Sequence, residues 1–278
     1  MAIKVIIMDI DGTLVNDEKV ITPLTKETLL KAQDKGVRLV LASGRPTSGL
    51  LKLAEELDME NHHGLFVCFN GSKVVDCQSH ETLYNHAISV EDSKAILEHL
   101  KNFKARMFDK DEYMYVNDVF DNTITYKGKP FNVMQYESRG NNYILCEKRD
   151  LAAFVDFEIN KILTFGDPDY LQAHYKEMME PFKDRLNCMF TSDFYFEFTA
   201  KGVDKAKALD SVLIPMGYKK EEMMAFGDAQ NDKSMVEYVG LGVAMGNASD
   251  ELKAVANEIT DTNNNDGIAK AIMKHIEL

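Results

Sequence analysis

Over the first 80 residues, short apolar runs alternate with amphipathic stretches. Ile3 to Ile10 is almost wholly apolar, as expected of a strand buried on both faces in a parallel sheet. Thr22-Pro23 then reads as a helix cap followed by proline at the first helical position. That helix runs through Leu29 and Leu30, and Gly36 stops it. Val37 to Ala42 forms a second buried strand. Pro46 opens a second helix through Leu57, and Leu65 to Phe69 is a third strand ending at Asn70-Gly71. Strand and helix in this alternation predict a doubly wound, Rossmann-like parallel sheet with right-handed crossovers.

The middle of the chain has a different texture. Of the 26 Phe and Tyr residues, 21 lie between Glu81 and Ala200. They fall in alternating runs such as Tyr113-Met114-Tyr115-Val116 and Phe194-Tyr195-Phe196-Glu197-Phe198, which predict antiparallel strands buried on one face. Helical stretches sit between them at Glu91 to Phe103 and Asp169 to Glu180. After Lys201 the first texture returns. Helices are expected at Lys205–Met216, Asn231–Val239 and Asp250–Ala256, strands at Met223–Phe226 and Leu241–Ala244, and a loop at Asp261–Asp266. The predicted fold class is α/β. Residues 1–82 and 199–278 form the sheet domain, and residues 83–198 form an α+β cap inserted into it.

Four polar clusters each follow an apolar strand: Asp9-Ile10-Asp11-Gly12-Thr13, Ser43-Gly44-Arg45, Asn70-Gly71 and Gly227-Asp228-Ala229-Gln230-Asn231-Asp232. Singly, each is an ordinary turn, since Asp, Gly, Asn and Ser are common turn formers. In an open parallel sheet, however, the carboxyl ends of the strands share one edge, where ligands bind. Asp9, Asp11 and Asp228, with Asp232 as a fourth candidate, would converge there and repel one another without a cation. Their oxygens are hard ligands with no His or Cys beside them, which selects Mg²⁺ over zinc. Ser43-Gly44, just before the helix opened by Pro46, has the makings of a phosphate cradle or of a plain N-cap. Lys205, near the start of its helix, could reach the same edge and neutralise phosphate charge, although a single lysine is more often solvated.

Charge narrows the ligand. Lys and Arg number 32 against 45 Asp and Glu, a net charge of −13. Bulk attraction to nucleic acid or to an anionic membrane is excluded, so local groups or a metal must hold any phosphate. No apolar run approaches the ~20 residues of a bilayer span. Asp9 and Asp11 at the end of the first apolar stretch, with no small-residue cleavage site, argue against a signal peptide. The four cysteines, Cys68, Cys77, Cys146 and Cys188, are expected as reduced thiols in a cytoplasmic protein.

These residues carry a resemblance. Asp9-Ile10-Asp11-Gly12-Thr13-Leu14 resembles the D-x-D-G-T-L signature of the haloacid dehalogenase superfamily. Ser43 within Ala42-Ser43-Gly44-Arg45 is similar to its second motif in the Cof-type subfamily, and Lys205 within Lys201-Gly202-Val203-Asp204-Lys205 to its third. Gly227 to Asp232 is similar to the fourth, G-D-x-x-N-D, and Ala244-Met245-Gly246-Asn247-Ala248 is also typical of the family. The insertion between the second and third motifs resembles the type C2 (IIB) caps of sugar-phosphatase-like members. Asp204 departs from the pattern, standing where Ser is frequent.

The resemblance implies a Mg²⁺-dependent phosphatase acting on small phosphorylated metabolites such as sugar phosphates. It implies Asp9 as the nucleophile that becomes an aspartyl phosphate, and Asp11 as general acid and then base. Ile10, Ser43, Gly44, Lys205 and Asn231 would surround the phosphate, with Asn231 near Lys205, which also offsets charge on Asp9. Asp9, the backbone carbonyl of Asp11, and Asp228 would ligate the metal, and Asp232 would support them. The cap would close over the edge, exclude water and read the leaving group. Tyr113, Tyr115, Asn117 and Asn70-Gly71 are candidates for that reading, and Arg45 either lines the pocket or makes an exposed ion pair. Two rival functions share these residues: a phosphotransferase or mutase using the same intermediate, and a non-catalytic sensor of a phosphorylated metabolite. The expected partner is a small phosphate ester, with no nucleic acid, membrane or obligate protein partner.

Overall fold

The computed structural model describes residues 2–103, 106–110 and 112–278, so Met1, where the N-terminal stretch begins, lies outside it. Two compact units emerge: the chain up to Asn85 together with Asp204–Leu278, and His86–Val203. The sequence pattern places the first crossing at 82/83 and the second at 198/199. Thr82–Asn85 instead completes the large sheet, and Tyr195–Ala200 is a full strand of the inserted unit.

The first unit is built on eight strands in the order Glu258–Ile259, Leu241–Ala244, Met223–Gly227, Val5–Met8, Arg38–Ala42, Leu65–Cys68, Lys73–Asp76 and Thr82–Asn85. The first six run parallel, and the last two add on antiparallel. Alternate residues of the central strands face opposite layers. Ile6, Met8, Leu39, Leu41 and Phe226 pack with Leu29, Ala54 and Ile272 from helices Pro23–Asp34, Leu51–Glu56 and Gly267–His275. Val5, Ile7, Val40 and Ala225 pack with Leu209 and Met235 from helices Lys205–Leu213 and Lys233–Tyr238. Both faces are covered, as the doubly wound reading requires.

Several local expectations change. Pro46 does not open an α-helix: a single 3₁₀ turn, Thr47–Gly49, intervenes before Leu51–Glu56. Asn231 lies in another 3₁₀ turn, Gln230–Asp232, ahead of the helix at Lys233. Thr22 sits at the N-cap with Pro23 following, but its hydroxyl bonds Asp266 rather than the helix. The polar 261–266 stretch holds a 3₁₀ turn and is followed by helix Gly267–His275, an element absent from the sequence pattern above.

The inserted unit has six strands in the order Ile144–Glu147, Tyr113–Val116, Arg106–Lys110, Ile162–Phe165, Tyr195–Ala200 and Leu186–Ser192. Its pairings are antiparallel except for Ile144–Glu147 with Tyr113–Val116, which is parallel. Phe108, Ile162, Phe196 and Phe198 pack beneath helices Val90–His99, Leu151–Phe154 and Pro168–Met179. Met107, Leu163, Phe165 and Tyr195 pack with Ile124 of the hairpin Thr123–Tyr126/Lys129–Asn132 and with Met134 of helix Val133–Gly140. This second cover explains why every residue of Tyr195–Ala200 is buried, where alternation predicts one wet face. Tyr115 is held between Phe108 and Phe154, and Asn117 accepts the backbone N–H of Arg106 at 2.7 Å, so both serve the unit's own packing. All four cysteines are free, and no helix among the described residues is long and apolar enough to cross a membrane.

Asp109 shares this interior with Lys161, Tyr143, Glu137 and Glu197. Burial pushes its carboxyl up to about 7, against the opposing pull of Lys161 and Tyr143 and with help from Glu137 and Glu197. In the unfolded chain the same group ionises at its ordinary value of 3.8. Between those values the folded state holds more protons, so this group's contribution to stability falls as pH rises and is lost above about 7. Asp109→Asn is therefore expected to raise the melting temperature at pH 8 by about 3–5 °C, with the gain vanishing near pH 4. Calorimetric melts at both pH values check this, and an equal effect at both would refute the assignment.

Candidate active site

Asp9 follows the central strand Val5–Met8, and its backbone N–H still donates to Phe226 across the sheet at 3.1 Å. The chain then turns sharply: Thr13 and Val15 donate to the Ile10 carbonyl, and Leu14 to that of Asp9. Gly12 makes this turn possible. Its φ is +87°, and a Cβ there would lie 2.5 Å from the Asp228 carboxylate. Thr13 Oγ1 donates to Asp228 Oδ1 at 2.9 Å, and Asn247 Nδ2 donates to the Gly12 carbonyl at 2.8 Å. Thus the first and fourth clusters are joined directly, and Asn247 from the 244–248 segment braces them.

Lys205 is the first residue of helix Lys205–Leu213 and is 1% exposed. Its Nζ donates to Asp9 Oδ1 at 2.8 Å, Asp232 Oδ1 at 2.6 Å and the Ala42 carbonyl at 2.8 Å, which uses all three protons. Asp232 is fully buried, and its second oxygen accepts the backbone N–H groups of Asp228 and Ala229, both at 3.1 Å. Asp204 accepts from the backbone N–H of Lys207 at 3.0 Å and so caps the helix, a task open to Ser as well.

The electrostatics follow from burial. Desolvation drives Asp9 up to about 7; Lys205 opposes it, while Asp232 and Asp228 reinforce it. Asp228 rises to about 6 through burial, which the Thr13 hydroxyl moderates. Burial alone would lower the Lys205 ammonium, but Asp232 and Asp9 outweigh it and hold the pKa above the lysine range. Carboxylate oxygens of Asp9, Asp228 and Asp232 all lie within 4.8 Å of one another. Three carboxylates facing one ammonium form an all-oxygen, electron-rich donor set, which fits a hard divalent cation.

The side chain of Asp11 is not in that group, contrary to the convergence expected from charge. Arg45 grips it with two bonds, Nε to Oδ2 at 2.9 Å and Nη2 to Oδ1 at 2.8 Å, and Lys19 adds a third at 2.9 Å. Burial would raise the Asp11 pKa, but Arg45 and then Lys19 outweigh it and lower it. Arg45 therefore makes the ion pair foreseen as one of its two roles. Ile10 has its side chain wholly in the core, so only its main chain can face a ligand. Ser43 is buried, its Oγ accepting the backbone N–H of Arg45 at 3.2 Å. The α-helix expected to aim its N-terminus at Ser43-Gly44 starts only at Leu51, so its dipole does not form the cradle. Asn231 donates through Nδ2 to Asn70 Oδ1 at 3.2 Å, and Lys205, whose three protons go to Asp9, Asp232 and the Ala42 carbonyl, has none left for the Asn231 side chain.

Comparison with known proteins identifies the family. Residues 6–272 match the model of a family described as haloacid dehalogenase-like hydrolase. The chain belongs to that family. This hydrolase is 32% identical to the 5-amino-6-(5-phospho-D-ribitylamino)uracil phosphatase YcsE of Bacillus subtilis over 97% of this chain and 94% of the relative. Its structure resembles that of a haloacid dehalogenase-like hydrolase from Bacteroides thetaiotaomicron, with a TM-score of 0.90 and 32% identity over 99% and 100% of the two chains. It also resembles a sugar phosphatase of subclass IIB in the same superfamily, with a TM-score of 0.74 and 27% identity over 98% of each chain. It is a phosphatase of the haloacid dehalogenase type.

The Lys205 pairing carries a stability consequence. Lys205→Met strands two buried carboxylates, at a cost of about 3–5 kcal/mol. In chelator, the transition of the first unit is expected to drop by about 10 °C. Adding Asp9→Asn to that variant recovers part of the loss. Thermal melts of the two variants beside wild type check this, and an unchanged midpoint for Lys205→Met would refute it.

Proposed function

We propose that this hydrolase is a Mg²⁺-dependent phosphatase of small phosphorylated metabolites, sugar phosphates and related monoesters among them, working through an aspartyl phosphate on Asp9. The observation that carries the reading is the meeting of Asp9, Asp228 and Asp232 from opposite parts of the chain around a fully committed Lys205. YcsE and the subclass IIB sugar phosphatase are named for small esters of this kind.

The roles follow from the atoms. Lys205 fixes Asp9 by Oδ1, leaving Oδ2 to attack phosphorus in line with the departing alcohol. Asp11 supplies the alcohol's proton and then takes one from the water that cleaves the aspartyl phosphate. Before that, Asp11 must leave Arg45 and Lys19, because both favour its ionised form. Arriving ester phosphate is a natural competitor for those two cations. Ser43, Gly44, the main chain of Ile10 and Asn231 orient the phosphoryl oxygens. Mg²⁺ held by Asp9, the Asp11 carbonyl and Asp228, with Asp232 in support, would neutralise charge on the phosphate and keep Asp9 ionised at neutral pH.

Aryl phosphate hydrolysis in Mg²⁺ tests the proposal. Asp9→Asn is expected to lower kcat by at least about a thousandfold. Chelation should abolish wild-type turnover and added Mg²⁺ restore it. Rapid acid quench should leave a phosphoryl group on the peptide containing Asp9. An Asn variant as active as wild type, or turnover indifferent to chelator, would defeat it.

A further inference from the structure

Two turns of the first unit are stitched together beside Asp9. Ser43 donates its backbone N–H to Val67 at 2.8 Å, Phe69 donates to Arg45 at 3.1 Å, and Asn70 donates to Ser43 at 2.9 Å. Phe69 and Asn70 both adopt left-handed conformations, with φ of 51° and 56°. Two successive non-glycine residues in that region are strained, and such strain collects at functional sites. The turn is also held from below: a Cβ on Gly71 would lie 2.3 Å from the Asp204 carbonyl, just ahead of Lys205.

The Asn70 side chain does not serve its own turn, as turn asparagines commonly do. Its carboxamide lies over Gly44, with Nδ2 and Oδ1 at 3.2 and 3.3 Å from where a Gly44 Cβ would stand. Asn231 Nδ2 donates to its Oδ1 at 3.2 Å and thereby fixes which end points where. Among the described residues, Asn70 Nδ2 has no acceptor. The result is a donor held in place over the Ser43-Gly44 turn, on a backbone that asparagine tolerates at a cost.

We infer that Asn70 is a phosphate-binding residue: its Nδ2 donates to a non-bridging oxygen of the phosphoryl group seated at Ser43-Gly44, with Asn231 as its positioning partner. The inference rests on the phosphatase reading for the identity of the ligand and adds a donor that the four motifs omit. A turn asparagine retained only for its backbone would leave ligand affinity untouched when replaced by glycine.

The test uses the full chain with Mg²⁺, aryl phosphate for turnover and inorganic phosphate for calorimetric binding. Asn70→Gly suits φ of 56° and removes the side chain, amide included, without straining the backbone. It is expected to melt at or above the wild-type temperature, while kcat/KM falls about 10- to 100-fold and phosphate binds about 10-fold more weakly. Asn70→Asp keeps shape and tolerates the same backbone but turns a donor into a negative acceptor. It should bind phosphate more weakly still, and it decides the question alone if the glycine variant melts early. Wild-type kcat/KM and phosphate affinity in Asn70→Gly, or equal phosphate affinity in the two variants, would overturn the assignment. If wild type hydrolyses no ester, the proposed activity fails, whereas the phosphate titrations still report on Asn70.

Discussion

The site depends on one buried ammonium. Lys205 gives its three protons to Asp9, Asp232 and a main-chain carbonyl, and water reaches almost none of it. Removing such charges from water is costly, and only complete pairing offsets the cost. Asp9 follows the strand Val5–Met8, Ala42 ends Arg38–Ala42, and Asp232 lies just beyond Met223–Gly227. One side chain therefore ties together the carboxyl ends of three neighbouring strands. It also leaves the group short of positive charge, since Asp228 adds a third carboxylate that Lys205 does not bond. That deficit makes the arrangement receptive to a hard cation.

Around this centre the main chain does most of the positioning. Asp232 receives two backbone N–H groups, Asp204 caps the helix that presents Lys205, and the Gly12 turn clears a path for Asp228. These contacts cost little entropy on ligand arrival because they are made on folding. Asp11 is the exception. It rests on the rim in a clamp of arginine and lysine, with 43% of its side chain in water, and it alone must change partners during the reaction proposed.

Much of this is readable in the chain because each chemical cluster directly follows an apolar strand. In a parallel sheet, that local pattern already places Asp9, Ser43 and Asp228 on one edge. What stayed hidden depends on partners remote in sequence. Pro46 signals a helix start, yet the 3₁₀ turn Thr47–Gly49 comes first and the α-helix begins only at Leu51, while the Arg45 carbonyl just ahead of the proline is taken by the distant Phe69. The aromatic alternation of Phe194 to Phe198 describes one wet face, and only the hairpin and Val133–Gly140 helix packed on it reveal two dry ones. Neither the pairing of Arg45 with Asp11 nor the brace from Asn247 leaves a mark in any single segment.

The sheet's connectivity also bears on how the protein is made. Val5–Met8 pairs with Arg38–Ala42 on one side and with Met223–Gly227 on the other. During translation the second neighbour emerges long after the first, and the whole of His86–Val203 is exported from the ribosome in between. One flank of the oldest strand thus waits as an open, apolar edge until the last fifth of the polypeptide arrives. The inserted unit is contiguous and can form during that wait, but the edge closes only when Met223–Gly227 emerges, so the length of the insertion sets how long the nascent chain is open to self-association.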